Sequence, residues 1–191
     1  LSPKEMGSTW PATLGVLEGD PTYVTAFRQA YREGITQDTV RDAIATFERS
    51  LLTPSPFDDY LLGDDRALTP DEARGYALFK DLGCASCHQG VNVGGNMYQT
   101  LGKVRDYYEG DQGGPADQGR FNVTGLERDR HRFKVPSLRN VVLTAPYLHD
   151  GSAQRLEDAV AVMARYQLGI ELSGEEERLL VAFLGSLSGG G

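Results

Sequence analysis

Two cysteines and a histidine carry the clearest chemical signal in this chain. Cys84, Cys87 and His88 form the pattern C-x-x-C-H, which is the attachment sequence of a c-type haem. The two thiols can add to the vinyl groups of one porphyrin, and the imidazole of His88 can then bind the iron from one face. The chain has two cysteines in all, so no thiol remains for a disulfide framework or a four-cysteine zinc site. The sequence predicts one covalently bound haem c.

A C-x-x-C pair has two other uses, as a redox-active disulfide or as half of a zinc site. No second group of zinc ligands follows in the sequence, and no alternating strand–helix pattern of a thioredoxin-like domain surrounds the pair. The adjoining His88 favours haem attachment, because neither alternative requires it.

The second axial ligand of the iron is open on sequence grounds. A methionine thioether raises the reduction potential and suits electron transfer, while histidine is a second choice. Met163 lies on a predicted helix well downstream of His88, but it could equally fill the core beside Leu156 and Val160. The side chains that could reach the iron are Met6, Met97, Met163, His131 and His149.

Helical periodicity and capping residues predict an all-α fold with long loops. The clearest helix start is Thr69, with a proline next and Glu72 completing a capping box, and Gly83 is expected to end that helix just before Cys84. Residues 89–135 have little helical periodicity and are predicted to form a long irregular loop at the haem edge. Two helices are predicted before residue 53, one beginning at Asp20-Pro21 and one over about 37–52, and a short helical turn is predicted over 57–61. A further helix follows Ala153 and has Leu156, Val160, Met163 and Gln167 on one face. The last predicted helix begins at the Ser173–Glu176 capping box.

Composition limits the range of functions. The net charge of −8 argues against nucleic acid and suits the docking of a small basic redox partner. No apolar run is long enough to span a membrane, and we expect no signal peptide within these residues. Covalent haem attachment implies export, so we expect a bacterial periplasmic protein whose Leu1 results from processing or truncation.

Several segments together resemble the bacterial di-haem cytochrome c peroxidases and their relatives of the MauG type, over nearly all of the chain. The segments that carry the resemblance are Pro3 to Gly7, Ala45 to Arg49, Cys84 to Asn96, Gly119 to Phe121, Phe133 to Asn140 and Thr144 to Gly151.

The resemblance implies a class I cytochrome c-like haem domain over 21–191, with an N-terminal helical arm over 1–20 from the interdomain region. By the same resemblance the chain looks like the C-terminal, electron-transfer haem domain of that family, with Met163 where the family places its axial methionine. The first C-x-x-C-H of the family, which binds the peroxidatic haem in an N-terminal domain, is missing from this sequence.

Further roles are implied by the same resemblance. Glu5 matches the catalytic glutamate, which takes a proton from hydrogen peroxide and returns it to the leaving oxygen. Backbone carbonyls of Thr144 and Pro146 match part of a calcium site. Lys134 and Arg139 either pair with haem propionates or are ordinary solvated charges. His149 is either a structural histidine or a proton-transfer or metal-binding group.

The function that follows is electron transfer in a periplasmic di-haem cytochrome c peroxidase. A small cytochrome c or a cupredoxin would donate electrons, the missing N-terminal haem domain would reduce hydrogen peroxide to water, and a homodimer is possible for such a protein. A stand-alone monohaem electron carrier is the alternative. A MauG-type enzyme acting on a large substrate is a third hypothesis, which Met163 disfavours because that branch has tyrosine there.

Overall fold

The computed structural model describes residues 7–51, 53–109 and 117–189. The chain forms two compact units, Leu1–Leu52 and Thr53–Gly191. Glu5 and Met6 lie outside the described residues, and the predicted boundary between an arm over 1–20 and a haem domain stays a prediction. No helix within the described part of the chain is long and apolar enough to span a membrane.

The first unit is made of three helices, α1 (Trp10–Glu18), α2 (Pro21–Ala30) and α3 (Gln37–Ser50). The predicted helix start at Asp20 is confirmed, since its carboxylate accepts a hydrogen bond from the Thr22 N–H at 2.8 Å. Neither α1 nor α2 contains a buried residue. This unit therefore contributes little to the described apolar core.

The second unit contains the remaining helices and the described sheet. The helices are α4 (Pro56–Leu61), α5 (Pro70–Asp81), α6 (Phe121–Thr124), α7 (Leu156–Val162) and α8 (Gly174–Gly185), and the strands are β1 (Tyr98–Thr100) and β2 (Arg132–Lys134). The strands pair antiparallel, with Gln99 opposite Phe133. The expectation of an irregular loop over 89–135 was therefore wrong at both strands and at α6. Strands of three residues are too short to show the alternation that identifies a strand.

Helices α5 and α8 pack closely and carry the core of the second unit. At Gly75 on α5, an added Cβ would lie 2.0 Å from the Leu179 carbonyl oxygen on α8, so only glycine allows the two backbones to approach this closely. Phe183 of α8 is fully buried and meets Phe57 and Phe79 at ring-centroid distances of 5.3 and 5.1 Å. Burying one such side chain contributes about 1.5–3 kcal/mol.

The capping predictions for α5 and α8 are confirmed. Thr69 and Glu72 form the reciprocal box at the start of α5, where the Thr69 N–H donates to the Glu72 carboxylate at 2.7 Å. Ser173 and Glu176 do the same for α8, also at 2.7 Å. The two core helices therefore begin where their own local sequences specify.

Candidate haem site

One cavity of about 450 Å³ lies within the second unit. Its wall is mainly apolar and comes from the end of α5, from α7 and α8, and from the segment between Phe133 and His149. The structure brings most of the predicted site residues to this one cavity: Cys84, Cys87, His88, Lys134, Thr144, Pro146, His149 and Met163 all line it. The volume is that of an ordinary ligand or cofactor pocket.

The attachment turn follows directly from the end of α5. Gly83 adopts a left-handed conformation with φ of 88° after the helix, which confirms it as the helix end, and the 3-10 turn Cys84–Ser86 comes next. The N–H of His88 donates to the Cys84 carbonyl at 3.0 Å. Both thiols are free, and burial raises the pKa of Cys84 above its ordinary value. The turn presents two unpaired thiols and an imidazole to one cavity.

The burial of His88 favours its neutral imidazole form. Burial lowers the pKa of His88, against a smaller opposing effect of the Val93 and Pro136 backbone. Its Nδ1 is fully buried and has no hydrogen-bond partner with normal geometry. The neutral form is the one that binds a metal ion.

Gly94 forms the close wall behind this imidazole. Its φ is 129°, and an added Cβ would lie 2.0 Å from the Pro136 carbonyl oxygen and 3.3 Å from His88 Nδ1. Any larger residue would therefore displace the histidine or the Pro136 backbone. Nothing in the sequence pattern showed that Gly94 lies against His88.

Met163 begins a π-helical segment, Met163–Leu168, which continues α7. Leu156, Val160, Met163 and Gln167 all line the cavity, so their predicted common face is confirmed. The expectation of one regular α-helix through Gln167 was wrong, because the wider helix begins at Met163. Single turns of π-helix are rare and frequently occur at functional sites.

Met97, His131 and His149 are in less suitable positions than Met163 to bind the iron of a haem in this cavity. Met97 and His131 do not line the cavity, and the His131 ring stacks on Tyr108 with centroids 3.7 Å apart. His149 does line it, but its Nε2 lies 3.0 Å from the Asp117 carboxylate. Among the described candidates, Met163 combines a cavity position with an unengaged donor atom of the soft type that haem iron accepts.

Of the two predicted propionate partners, Lys134 lines the cavity and Arg139 does not. Arg139 binds Asp58 in a two-pronged ion pair at 2.6 and 2.9 Å and donates to the Val91 carbonyl at 2.8 Å. It does not line the cavity, so the structure gives it a partner within the fold instead of the predicted propionate. Lys134 lines the cavity, and its propionate role stays a prediction.

Thr144 and Pro146 follow one another along the cavity wall. The Thr144 hydroxyl donates to the Val141 carbonyl at 3.0 Å, and the Ala145–Pro146 bond is cis. Calcium binding through their carbonyls stays a prediction.

The donor set fits a haem. Two free thiols, a neutral imidazole and a thioether share an apolar cavity, which matches the covalent and axial bonds of a c-type haem. Sequence reasoning missed Gln99, whose amide N–H lies 3.8 Å from Cys87 Sγ, and the hydrogen bonds of Gln167. A predominantly helical fold around this donor set defines a c-type haem protein.

Comparison with known proteins agrees with this class. The family model described as di-haem cytochrome c peroxidase matches residues 1–66. The chain is 49% identical over 99% of its length to "Cytochrome c peroxidase Ccp" of Escherichia coli, covering 41% of that protein. It is 43% identical over 97% of its length to "Cytochrome c551 peroxidase" of Pseudomonas aeruginosa, covering 54%. It is 34% identical to "Methylamine utilization protein MauG" of Methylorubrum extorquens, over 97% of this chain and 55% of that one.

A solved structure is also similar, a MauG-like protein associated with microbial copper homeostasis. The match has a TM-score of 0.77 and 27% identity, and covers 92% of this chain and 61% of the other. The chain belongs to the family of di-haem cytochrome c peroxidases and MauG, an enzyme family of haem-containing oxidoreductases. It spans about half the length of the curated relatives that it matches.

Proposed function

We propose that this chain is the C-terminal electron-transfer haem domain of a periplasmic di-haem cytochrome c peroxidase, with a class I cytochrome c-like fold. One observation carries the proposal: Cys84, Cys87, His88 and Met163 line the same apolar cavity. Two thiols can hold one haem covalently, and an imidazole and a thioether can fill its two axial positions.

The residues of the site suit electron transfer. A bound haem would supply one-electron redox chemistry. His88 provides a neutral nitrogen donor because burial lowers its pKa, and Met163 provides a soft donor that favours the reduced metal. The apolar wall excludes water and disfavours additional charge. If His88 and Met163 both held the iron of a bound haem, this site would pass electrons and leave peroxide chemistry to another centre.

The peroxidatic step belongs, in this proposal, to an N-terminal haem domain of the longer protein. Glu5 would accept a proton from hydrogen peroxide and return it to the leaving oxygen. Replacing Glu5 by Gln in the complete protein should abolish most peroxide turnover and leave haem content unchanged. The exposed Glu18 on α1 is the matched control, and E18Q should retain full turnover.

The charge of the chain and its haem attachment support proposals about its redox partner and its cellular compartment. The net charge of −8 supports a small basic donor, a cytochrome c or a cupredoxin. Covalent haem attachment supports export to the periplasm, and the named relatives are bacterial. We further propose a homodimer, and a calcium ion bound through the Thr144 and Pro146 carbonyls together with a ligand from the N-terminal domain.

The relatives favour a peroxidase over the two alternatives. Identity is 43–49% to three proteins named as cytochrome c peroxidases and 34% to the more similar MauG. These peroxidases are longer than this chain, which favours an enzyme domain over a complete monohaem carrier.

The intact mass and the optical spectra of the protein from its native source test this proposal. A mass near twice that of this chain, two haems and peroxide turnover are expected. A single haem on a chain of this length, with a thioether absorption band and no peroxide turnover, would establish a monohaem carrier and contradict the enzymatic proposal.

A further inference from the structure

Gln167 connects the segment that bears Met163 to a distant loop. Its Oε1 accepts hydrogen bonds from the N–H groups of Gly102 at 3.0 Å and Lys103 at 2.8 Å. Its Nε2 donates to the Thr100 carbonyl at 3.0 Å. One side chain four positions after Met163 thus satisfies three backbone groups of residues 100–103.

The backbone beside Gln167 makes the same connection. The Tyr166 carbonyl accepts hydrogen bonds from the N–H groups of Val104 at 3.0 Å and Arg105 at 3.2 Å. Tyr166 lies in the last turn of the π-helical segment, which ends at Leu168, so its carbonyl has no partner further along the helix and is available to the loop. The Tyr166 ring also meets Tyr107 edge-on, with centroids 5.0 Å apart.

The same loop leads back to the haem attachment turn. Residues 100–105 continue from β1, and β1 carries Gln99, whose amide N–H lies 3.8 Å from Cys87 Sγ. A continuous segment therefore touches an attachment thiol at one end and the turn bearing Met163 at the other. Both Gln99 and Gln167 also line the cavity.

We propose that Gln167 is a positioning residue that holds the Met163 thioether against the haem iron by clamping the π-helical turn to residues 100–105. The inference rests on the proposed axial role of Met163. Groups that orient a metal ligand affect how strongly that ligand binds the metal. Without the clamp, the turn can move and an outside ligand can displace the thioether more easily.

The test uses the haem-loaded chain and imidazole as the competing ligand. Leucine at position 167 (Q167L) keeps most of the side-chain volume and removes all three hydrogen bonds. We expect Q167L to bind imidazole at least about tenfold more tightly than wild type, equivalent to about 1.4 kcal/mol, with a weaker thioether-to-iron absorption band. Glutamate (Q167E) keeps the acceptor for Gly102 and Lys103 and loses one donor. Its affinity should rise by only about threefold, as for loss of one neutral hydrogen bond.

Gln154 provides the matched control. It is exposed, and its amide N–H donates to the Gly151 carbonyl at 2.9 Å. The Q154L variant should bind imidazole as wild type does. Equal imidazole affinity in wild type and Q167L, or an equal shift in Q167L and Q154L, overturns the inference. If Q167L fails to take up haem, an unchanged affinity in Q167E overturns it instead.

Met163→Leu separates this inference from the proposed function. Loss of the thioether band in M163L supports Met163 as the ligand, so an unchanged Q167L would then contradict the clamp alone. A wild-type band that persists in M163L would contradict the ligand assignment, and the clamp with it.

Discussion

The two walls of the cavity are organised in different ways. The attachment wall is local: Gly83 ends α5, and the Cys84–Ser86 turn closes with hydrogen bonds that span three or four residues, such as the His88 N–H to the Cys84 carbonyl at 3.0 Å. The Met163 wall is held by bonds between residues far apart in sequence, since Gln167 and Gly102 are separated by 65 positions. A local turn forms from its own sequence, whereas the second wall depends on the folded loop opposite it.

This difference matches the separate tasks that the proposed function gives the two walls. The attachment wall has to present two thiols and an imidazole in fixed relative positions, and a short rigid turn achieves that. In the proposed function the Met163 wall supplies a ligand from the opposite side, and its position depends on contacts with residues 100–105. Variants of the attachment wall and of the Met163 wall can therefore be compared, with the ion pair of Asp58 and Arg139 as a site away from both.

The largest expected effect is loss of the covalent haem when the attachment wall loses its thiols. Replacing both Cys84 and Cys87 by Ala should give a protein whose mass lacks the haem after denaturation, because neither thioether can form. Ser86→Ala changes an exposed residue between the two cysteines and keeps the motif intact. A double variant that still carries covalent haem would contradict the attachment site.

The next largest effect concerns the opposite wall. Met163→Leu should keep the covalent haem, lose the thioether band and lower the reduction potential by a sizeable part of the roughly 0.8 V over which axial ligands move haem potentials. Met97 does not line the cavity, so M97L should leave both properties unchanged. Redox titration of both variants measures this effect, and equal reduction potentials in M163L and M97L would rule out Met163 as the ligand.

A smaller effect is expected on stability at the back of the attachment wall. Gly94→Ala should lower the free energy of unfolding by about 3 kcal/mol or more, since it combines backbone strain with a Cβ clash against Pro136. Gly95 has φ of 86° but an added Cβ there meets nothing within 4 Å. G95A should therefore cost only about 1 kcal/mol of strain. Equal losses in the two variants, by denaturant titration, would show that the clash is relieved.

The smallest effect lies away from both walls, at the ion pair of Asp58 and Arg139. Burial by itself would raise the pKa of Asp58, but hydrogen bonds from Ser55 and the ion pair with Arg139 outweigh it and lower that pKa. The pair therefore stabilises the fold above the ordinary aspartate pKa of 3.8. This contribution is lost as the pH falls through the lowered pKa of the folded state.

Asp58→Asn should consequently lower the free energy of unfolding by about 1.5 kcal/mol at neutral pH. Below about pH 4 the stability of this variant should fall less steeply with pH than that of wild type. The exposed neighbour Asp59 is the control, and D59N should leave the acid limb of the stability curve unchanged. Thermal unfolding between pH 2 and pH 7 measures both variants. Parallel acid limbs in wild type and D58N would show that the pair contributes nothing to the pH dependence.

Prediction from sequence succeeded where the determining interactions are short-range. Thr69 with Glu72 and Ser173 with Glu176 specify the starts of α5 and α8, since each capping box involves residues three apart. Prediction failed over β1 and β2, because each strand is stabilised by a partner more than 30 positions away. It also did not identify Asp58 as the partner of Arg139, because the charge of Arg139 indicates an anionic group but not which one.

The sequence by itself determined the chemistry of this protein: the C-x-x-C-H motif, the helix that delivers it, and the apolar face that includes Met163. These features depend on residue type and on spacing within one or two helical turns. Only the tertiary structure decided that Met163 starts a π-helical turn, that Gln167 binds residues 100–103, and that Arg139 pairs with Asp58 across 81 positions. Each of these depends on which distant backbone and side-chain groups come into contact once the core has formed. The free energy of such long-range contacts cannot be read from any local segment of the sequence.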